Sequence, residues 1–308
     1  MKLRVIVNPI AGSGAARRRI PEIKAALDRH GLSVEIVETR GPNDAARLVR
    51  EARDDGIECI AVTGGDGTLN EASQGYLDAS GEPVAGPDLA LLPSGTGGDF
   101  RKTFELSGAI DEAVERLSTA TPRAIDLGIL ELTSHSGERV TRAFINITSF
   151  GIGGLTDQIA NRGPKWLGGK AAFFLATVRA MVAYRNAPVR VTIDGEIMLE
   201  APILNVAVAN GRFFGGGMKI APDADPSDGV FDVIALYDLT RAQGIGLARH
   251  IYSGSHVGQP GVRVGRGAIV EAESLVPSAQ VLIDMDGETP GRLPLLARIA
   301  PGAVRIRA

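Results

Sequence analysis

Glycines and acidic residues occur together in three stretches that could bind a phosphate-bearing ligand. GGDGTLNE at 64–71 follows the apolar run ECIAVT, PSGTGGDF at 93–100 follows DLALL, and NPIAGSG at 8–14 follows LRVIV. Glycine lets main-chain N–H groups approach an anion closely, and a helix that starts there adds a favourable dipole. Because ligands of open α/β sheets bind at the carboxyl ends of the strands, three such stretches predict a phosphate site.

Asp66 lies among these glycines although a carboxylate repels phosphate. Mg²⁺ would explain its presence, because carboxylates hold this ion directly or through water. The alternative is that the stretches are only turns, since Gly-Gly and Asp-Gly favour turns. Arg17 stands where G-x-G-x-x-G needs its third glycine, and the chain lacks G-x-x-x-x-G-K-[ST] and H-R-D. These absences exclude a Rossmann fingerprint, a P-loop and a protein-kinase catalytic loop.

Three Asp-Gly sites in the second half carry candidate catalytic acids: IDGE at 193–196, SDGV at 227–230 and MDGE at 285–288. Asp-Gly is also a strong hairpin signal, so a turn is the alternative for each site. The strand patterns on both sides of IDGE favour a turn there. In IDMDGETPG, Asp284, Asp286 and Glu288 are crowded, and crowded acids repel unless a metal or a raised pKa accounts for them. Spacing alone does not choose between the two DGE sites.

The composition is that of a soluble globular protein with room for two domains in its 308 residues. The net charge is 33 − 36 = −3, which argues against a nucleic-acid-binding protein. We find no apolar run of ~18 residues that would span a membrane, and the apolar run at the start is too short for a signal peptide. Cys59, the single cysteine, excludes an intrachain disulfide. We expect a cytoplasmic protein, and transient contact with the inner membrane surface stays open.

Two different kinds of secondary-structure pattern along the sequence predict two domains. Strand and helix patterns alternate in the first third, which favours a doubly wound, mostly parallel α/β sheet. In this region Ser107 is a candidate cap for a helix that ends near Leu117. From about residue 126 to 292, short strands with Asp-Gly turns predict a β-rich, mainly antiparallel domain. Two helices interrupt it, over about Lys170–Tyr184 and about Arg241–Tyr252.

The ordered set NPIAGSG, GGDGTLNE and PSGTGGDF resembles the nucleotide-loop motifs of the diacylglycerol kinase catalytic family, which includes bacterial soluble lipid kinases and sphingosine kinases. The resemblance continues through NGRFFGGGMKIAPDADPSDGVFDV at 210–233 and MDGE, so it covers nearly the whole chain. It implies an N-terminal α/β domain like those of phosphofructokinases and NAD kinases. It also implies that the final strand, about 293–308, returns to the first domain, which comprises residues 1–125.

The resemblance also implies roles for particular residues. Asp286 and Glu288 form the catalytic pair, one of them the general base. Mg²⁺ is held by Asp228 and by the carbonyls of Asp225 and Val230, for which a solvated acidic loop is the alternative. The family has Asn where this chain has Gly98. ATP is held by Asn8, Pro9, Ile10, Ala11, Gly12, Thr39, Gly65, Asp66, Gly67, Thr68, Leu69, Asn70, Glu71 and Thr96.

The sequence therefore predicts a lipid kinase that uses ATP and Mg²⁺ and transfers the γ-phosphoryl group to a lipid hydroxyl such as that of diacylglycerol. Two alternatives remain: an NAD kinase, because GGDGT is shared with that family, and a non-catalytic regulator that binds lipid or nucleotide. The apolar stretch 167–184 is either a wall of a lipid site or a helix packed on the second domain. The lipid acceptor and the presence of a homodimer stay open.

Overall fold

The computed structural model describes residues 1–93, 98–162, 176, 179, 180 and 183–308. These residues form two units, Met1–Leu127 with Ala300–Ala308, and Gly128–Ile299. The first is an α/β unit and the second is rich in β-strands, as the sequence predicts. Thr96 and most of the predicted helix over 170–184 lie outside the described residues.

The first unit is built on parallel strands in the order β2-β1-β3-β4. Every residue of β1 is buried, which explains its continuous apolar run. At the end of the last strand, Ile306 and Arg307 pair in parallel with Leu89 and Ala90 of β4. The strands are β1 (Leu3–Val7), β2 (Glu35–Glu38), β3 (Cys59–Gly64) and β4 (Asp88–Pro93).

Helices connect these strands, so the carboxyl ends of the parallel strands share one edge of the sheet. Side chains of α2 and α6, including Leu27 and Leu117, form an apolar cluster with Val5. Helix α3 packs on β1 and on α4. The helices are α1 (Ala11–Arg18), α2 (Ile20–Arg29), α3 (Asp44–Asp54), α4 (Asp66–Ser73), α5 (Asp99–Thr103) and α6 (Ile110–Thr119).

Two helix starts differ from the sequence prediction. Helix α6 begins after Ala109, and the Ser107 hydroxyl instead accepts the Ala109 N–H at 3.1 Å, a local turn that replaces the predicted cap. The stretch predicted as a loop after β1 becomes the start of α1. Within it Gly12, Ser13 and Gly14 have φ of 58°, 55° and 82°, so left-handed residues interrupt the helix.

In the second unit, six antiparallel strands close into a ring in the order β7-β13-β14-β12-β8-β9-β7. Apolar side chains of these strands belong to one buried cluster, in which the rings of Phe144 and Phe231 stack at 5.4 Å. The strands are β5 (Arg123–Ser134), β6 (Arg139–Phe144), β7 (Ile147–Gly151), β8 (Ala187–Ile193), β9 (Glu196–Ala209), β10 (Phe231–Tyr237), β11 (Val262–Gly267), β12 (Ile269–Ser274), β13 (Leu282–Met285) and β14 (Glu288–Arg307).

Two helices of this unit are α7 (Ile152–Arg162) and α8 (Arg241–Ser253). The second confirms the helix predicted over about 241–252. Thr240 and Gln243 form a capping box at its start, and Gly254 ends it in the left-handed conformation. Among the described residues, no helix combines the length and the apolar character that crossing a membrane requires.

The only cysteine of the chain lies inside the first unit. Cys59 is fully buried on β3, and burial raises the pKa of its thiol to about 12. We expect the native protein to resist a thiol reagent such as DTNB at pH 8, because the thiolate is the reactive form. One equivalent should react after denaturation, and rapid labelling of the native chain would contradict the position of Cys59.

Candidate functional site

Asn8 joins two of the predicted nucleotide loops. Its side-chain Nδ2 donates to Oγ1 of Thr68 at 3.0 Å, and its main-chain N–H donates to the carbonyl of Thr63 at 3.0 Å. Its Oδ1 accepts the N–H of Ile10 at 3.3 Å. The residue after β1 therefore fixes both its own loop and the start of α4, at the edge of the sheet where ligands of α/β proteins bind.

The two glycines that follow Thr63 have different physical roles. A Cβ on Gly64 would lie 2.4 Å from Cβ of Thr68, so glycine is required there for the close approach of β3 and α4. A Cβ on Gly65 would meet nothing within 4 Å. The first glycine therefore serves packing, and the second leaves open space beside the main chain at the start of α4.

The predicted nucleotide residues divide by burial. The side chains of Thr39, Thr68, Leu69 and Asn70 are buried, so Leu69 can reach a ligand only through its main chain. Ile10 and Gly12 are exposed. The half-buried residues are Asn8, Pro9, Ala11, Gly65, Asp66, Gly67 and Glu71.

Asp66 joins the second loop to the third. Its carboxylate accepts the N–H of Asp99 at 3.0 and 3.1 Å and the N–H of Phe100 at 3.4 Å, and it therefore caps the start of α5. Burial and the neighbouring Asp99 carboxylate raise the pKa of Asp66. The sequence shows the acid among the glycines but does not show that its partners come from a loop over thirty residues away.

Two features of the third loop bear on the site. Gly98 has φ of 106° and ψ of 73°, a conformation that favours glycine. Lys102 places Nζ 2.6 Å from Oδ1 of the buried Asp99. This cation was not among the predicted site residues, although Asp and Lys three positions apart in DFRK are the signal that could have found it.

The MDGE stretch forms the hairpin turn between β13 and β14. Asp286 and Gly287 have φ of 51° and 89°, as in a type I′ turn, and Met285 pairs with Glu288 across it. Asp286 is buried and Glu288 is exposed. The structure therefore places the two predicted catalytic acids in different environments.

The carboxylate of Asp286 holds the segment that enters β7. Oδ1 accepts the N–H of Ile147 at 2.8 Å, and Oδ2 accepts the N–H of Ile145 at 3.1 Å. The N–H of Asp286 donates to the carbonyl of Ile147 at 3.0 Å. Main-chain N–H groups that bind a carboxylate compensate for its burial. Asp286 thus fixes the turn that carries Glu288.

Asp284 is a second buried acid beside this turn. Its Oδ1 accepts the N–H of Gly287 at 2.9 Å, and its Oδ2 accepts the hydroxyl of Ser149 at 3.2 Å. Thr148 donates its hydroxyl to the Asp284 carbonyl at 2.8 Å. Asp284 is not among the predicted site residues, although the crowding of acids in IDMDGE is the signal that points to it.

The other DGE stretch is a hairpin turn between β8 and β9, which confirms the turn prediction. Asp194 and Gly195 have φ of 49° and 85°. The carboxylate of Asp194 accepts the N–H groups of Ala268 at 3.0 Å and Ile269 at 2.8 Å. Its side chain is exposed, in contrast to that of Asp286. The same sequence, Asp-Gly-Glu, thus occurs in two different environments.

The predicted magnesium loop supplies oxygen atoms, and several are engaged within the chain. Oδ1 of Asp225 accepts the N–H of Ser227 at 3.1 Å and its hydroxyl at 2.7 Å. Asp228 accepts the N–H of Val230 at 3.2 Å through Oδ1 and a guanidinium N–H of Arg266 through Oδ2. Among the described residues, no three His, Cys, Asp or Glu side chains are grouped as metal ligands.

The observation that most favours a cation at this loop is the buried carboxylate of Asp232. Its Oδ2 is buried and has no hydrogen-bond partner among the described residues, and Arg266 Nε lies 3.5 Å from its Oδ1. Burial raises the pKa of Asp232, and the Asp228 carboxylate adds to that effect. Carboxylate and carbonyl oxygens fit Mg²⁺, which would share Asp228 with Arg266.

We expect replacement of Asp286 and of Glu288 to affect stability differently. In Asp286→Asn, one main-chain N–H would face an NH₂ group, and we expect a loss of about 1–3 kcal/mol in the free energy of unfolding. Glu288→Gln changes an exposed side chain and should stay within about 0.5 kcal/mol. Urea denaturation measures both. Equal stability of the Asp286 variant and the wild type would contradict the hydrogen bonds described.

Asp66 should make stability depend on pH. Its pKa is raised from 3.8, so folding favours its protonated form. The contribution of Asp66 to stability is therefore greatest below pH 3.8, and it declines as the pH rises through the raised pKa of the folded state. We expect Asp66→Asn, which does not ionise, to gain in melting temperature relative to the wild type over that interval. A difference in melting temperature that is constant between about pH 4 and pH 7 would show that Asp66 keeps its ordinary pKa.

Comparison with known proteins assigns both parts of the chain. The family described as "Diacylglycerol kinase catalytic domain" matches residues 2–130, and "YegS C-terminal NAD kinase beta sandwich-like domain" matches residues 146–308. The diacylglycerol kinase of Mycobacterium tuberculosis strain H37Rv is 28% identical over 308 residues, which cover 99% of this chain and 94% of that protein.

Solved structures agree on the fold. A diacylglycerol kinase structure from Bacillus anthracis str. Sterne is similar with a TM-score of 0.68, 20% identity, and coverage of 99% of this chain and 96% of that one. Yeast NADH kinase complexed with NADH gives a TM-score of 0.53 at 11% identity, over 99% and 82% of the two chains. The chain therefore belongs to the diacylglycerol kinase family, with a catalytic domain in its first half and a YegS-type C-terminal domain in its second half.

Proposed function

We propose that this kinase transfers the γ-phosphoryl group of ATP to a hydroxyl of a lipid such as diacylglycerol, with Mg²⁺. The observation that carries the proposal is the linked group of loops at the carboxyl ends of β1 and β3, held by Asn8 and Thr68, in a chain of this family. Such loops present main-chain N–H groups to phosphate. Relatives named diacylglycerol kinase along nearly the whole length support a lipid as acceptor.

ATP would contact mainly the half-buried and exposed parts of the loops. The main chain at Gly65 has open space beside it, and the residues from Gly12 to Gly14 are left-handed, a conformation that occurs in anion-binding turns. Asn8 orients both loops, and Thr39 is tied to the sheet because its N–H donates to the Val7 carbonyl at 2.8 Å. Thr96 belongs to the proposed site by its motif.

Asp66 fits a place beside the phosphates only with a cation. Its carboxylate oxygens already accept N–H groups of α5, and a carboxylate keeps further lone pairs for a metal-bound water. Mg²⁺, when bound, would spread the charge of the transferred phosphoryl group. A structural Mg²⁺ would be held by Asp228 and the carbonyls of Asp225 and Val230.

Glu288 is the proposed general base. The bond between the γ-phosphorus and the oxygen of the ADP leaving group breaks, and a bond to the acceptor oxygen forms. The hydroxyl proton passes to the Glu288 carboxylate, which is exposed to an acceptor. Asp286 keeps this turn in place through Ile145 and Ile147. In this proposal Asp286 is the positioning member of the pair.

Transfer of labelled γ-phosphate from ATP to a total lipid extract tests the proposal. We expect a labelled lipid that requires Mg²⁺, and a loss of about 10²-fold or more in kcat for Glu288→Gln, because general bases contribute on that scale. Glu271→Gln, at an exposed glutamate of β12, is the matched control and should keep its activity.

Two outcomes would overturn the proposal. Label in NADP when NAD is supplied, with none in lipid, would assign the chain to the NAD kinases that its fold also resembles. ATP binding without transfer to any hydroxyl would indicate a regulator. Full activity of the Glu288 variant would leave the lipid kinase standing but remove Glu288 as the base.

A further inference from the structure

One side of α8 exposes apolar and basic residues together. Arg241, Ile245, Arg249 and Tyr252 follow at intervals of four, four and three residues, so their side chains lie along one side of the helix. All four are exposed, Ile245 by 62% and Tyr252 by 57%. We call these four residues the α8 face. Exposed apolar side chains that adjoin one another mark interaction sites more often than isolated ones do.

The α8 face is a fixed part of the fold. On the other side of the helix, Leu247 and Ile251 are buried in an apolar cluster that also contains Ile147, whose N–H binds Asp286. The capping box at Thr240 and the left-handed Gly254 define both ends. The helix therefore needs no further contact to form, and its exposed side is displayed rigidly in the unit that carries the catalytic turn.

The stretch that contains α8 is basic in a protein that is acidic as a whole, although the exposed Asp238 directly precedes it. Residues 239–270 contain four arginines and neither Asp nor Glu, although the net charge of the chain is −3. Arg266 pairs with Asp228 and Asp232. Within the described ranges, Arg241 and Arg249 form no ion pair with a carboxylate, and Arg249 Nε donates only to Nε2 of His250 at 3.3 Å. Two arginines of the face are therefore available to an anion.

We propose that the α8 face docks on the surface of a bilayer that contains anionic phospholipid. The inference deepens the proposed function, since a lipid acceptor resides in such a bilayer. Arginine binds lipid phosphates, isoleucine can enter the apolar boundary, and tyrosine suits the level of the headgroups. The helix itself carries no acid that would repel an anionic surface.

A second copy of the chain fits this face less well. A twofold dimer places the same patch of each subunit against the other. The arginines of both copies would then lie in one interface, with no acid on the helix to compensate. Like charges that meet in an interface disfavour it. Charge complementarity therefore selects the anionic bilayer.

Flotation of the full chain with vesicles tests the proposal. One set contains equal parts of phosphatidylcholine and phosphatidylglycerol, and the other contains phosphatidylcholine alone. We expect binding to the anionic vesicles that salt weakens. R241Q/R249Q should lower partitioning by about fivefold per arginine, and I245S/Y252S should lower it as well. I197S, at an equally exposed isoleucine of β9 (62%), and R142Q, at an exposed arginine of β6, are the controls and should bind as the wild type does.

The outcomes separate this inference from the proposed function. Anionic-vesicle binding that both double variants retain would overturn the inference whatever the kinase assay shows. Conversely, binding that depends on the α8 face in a protein without lipid kinase activity would refute only the proposed function. With a detergent-solubilised short-chain diacylglycerol, the double variants should match the wild-type rate. A wild-type dimer that either double variant converts to a monomer, without vesicle binding, would assign the face to self-association instead.

Discussion

The carboxylate of Asp286 binds two main-chain N–H groups, and the turn between β13 and β14 depends on this contact. The segment that it holds, 145–147, is also held from the other side, where Nδ2 of Asn210 donates to the carbonyl of Ile145 at 2.8 Å. A buried carboxylate without such donors would be costly. The contact therefore fixes the turn between β13 and β14, and with it the position of Glu288 at the start of β14.

The first unit uses the same kind of interaction to arrange its loops. Asn8 binds Thr68 across two strand ends, and Asp66 binds the first N–H groups of α5. Glycines at these points allow close approach or leave open space, and apolar packing lies beneath them. Polar side chains that bind main-chain groups thus hold each loop in place. Such loops can keep their shape when a charged ligand enters, because little must reorganise.

The sequence predicted the two kinds of unit because strand patterns are local. Continuous apolar runs mark β1, β3 and β4, and Asp-Gly turns mark the hairpins of the second unit. Helix starts were less predictable, as Ser107 shows, because several polar residues near a start can satisfy the first N–H groups. The environment of each predicted acid could not be predicted from the sequence. The two turns have the same sequence, Asp-Gly-Glu, and only the three-dimensional structure shows that Asp286 is buried while Asp194 is exposed.

Amide hydrogen exchange at Ile145 and Ile147 tests the central claim most directly. If the Asp286 carboxylate holds this segment, both amides exchange slowly in the wild type and much faster in Asp286→Ala, while amides of β10 on the far side of β9 keep their rates. Unchanged protection of Ile145 and Ile147 in the variant would contradict the account, because another group would then be holding the turn that carries Glu288.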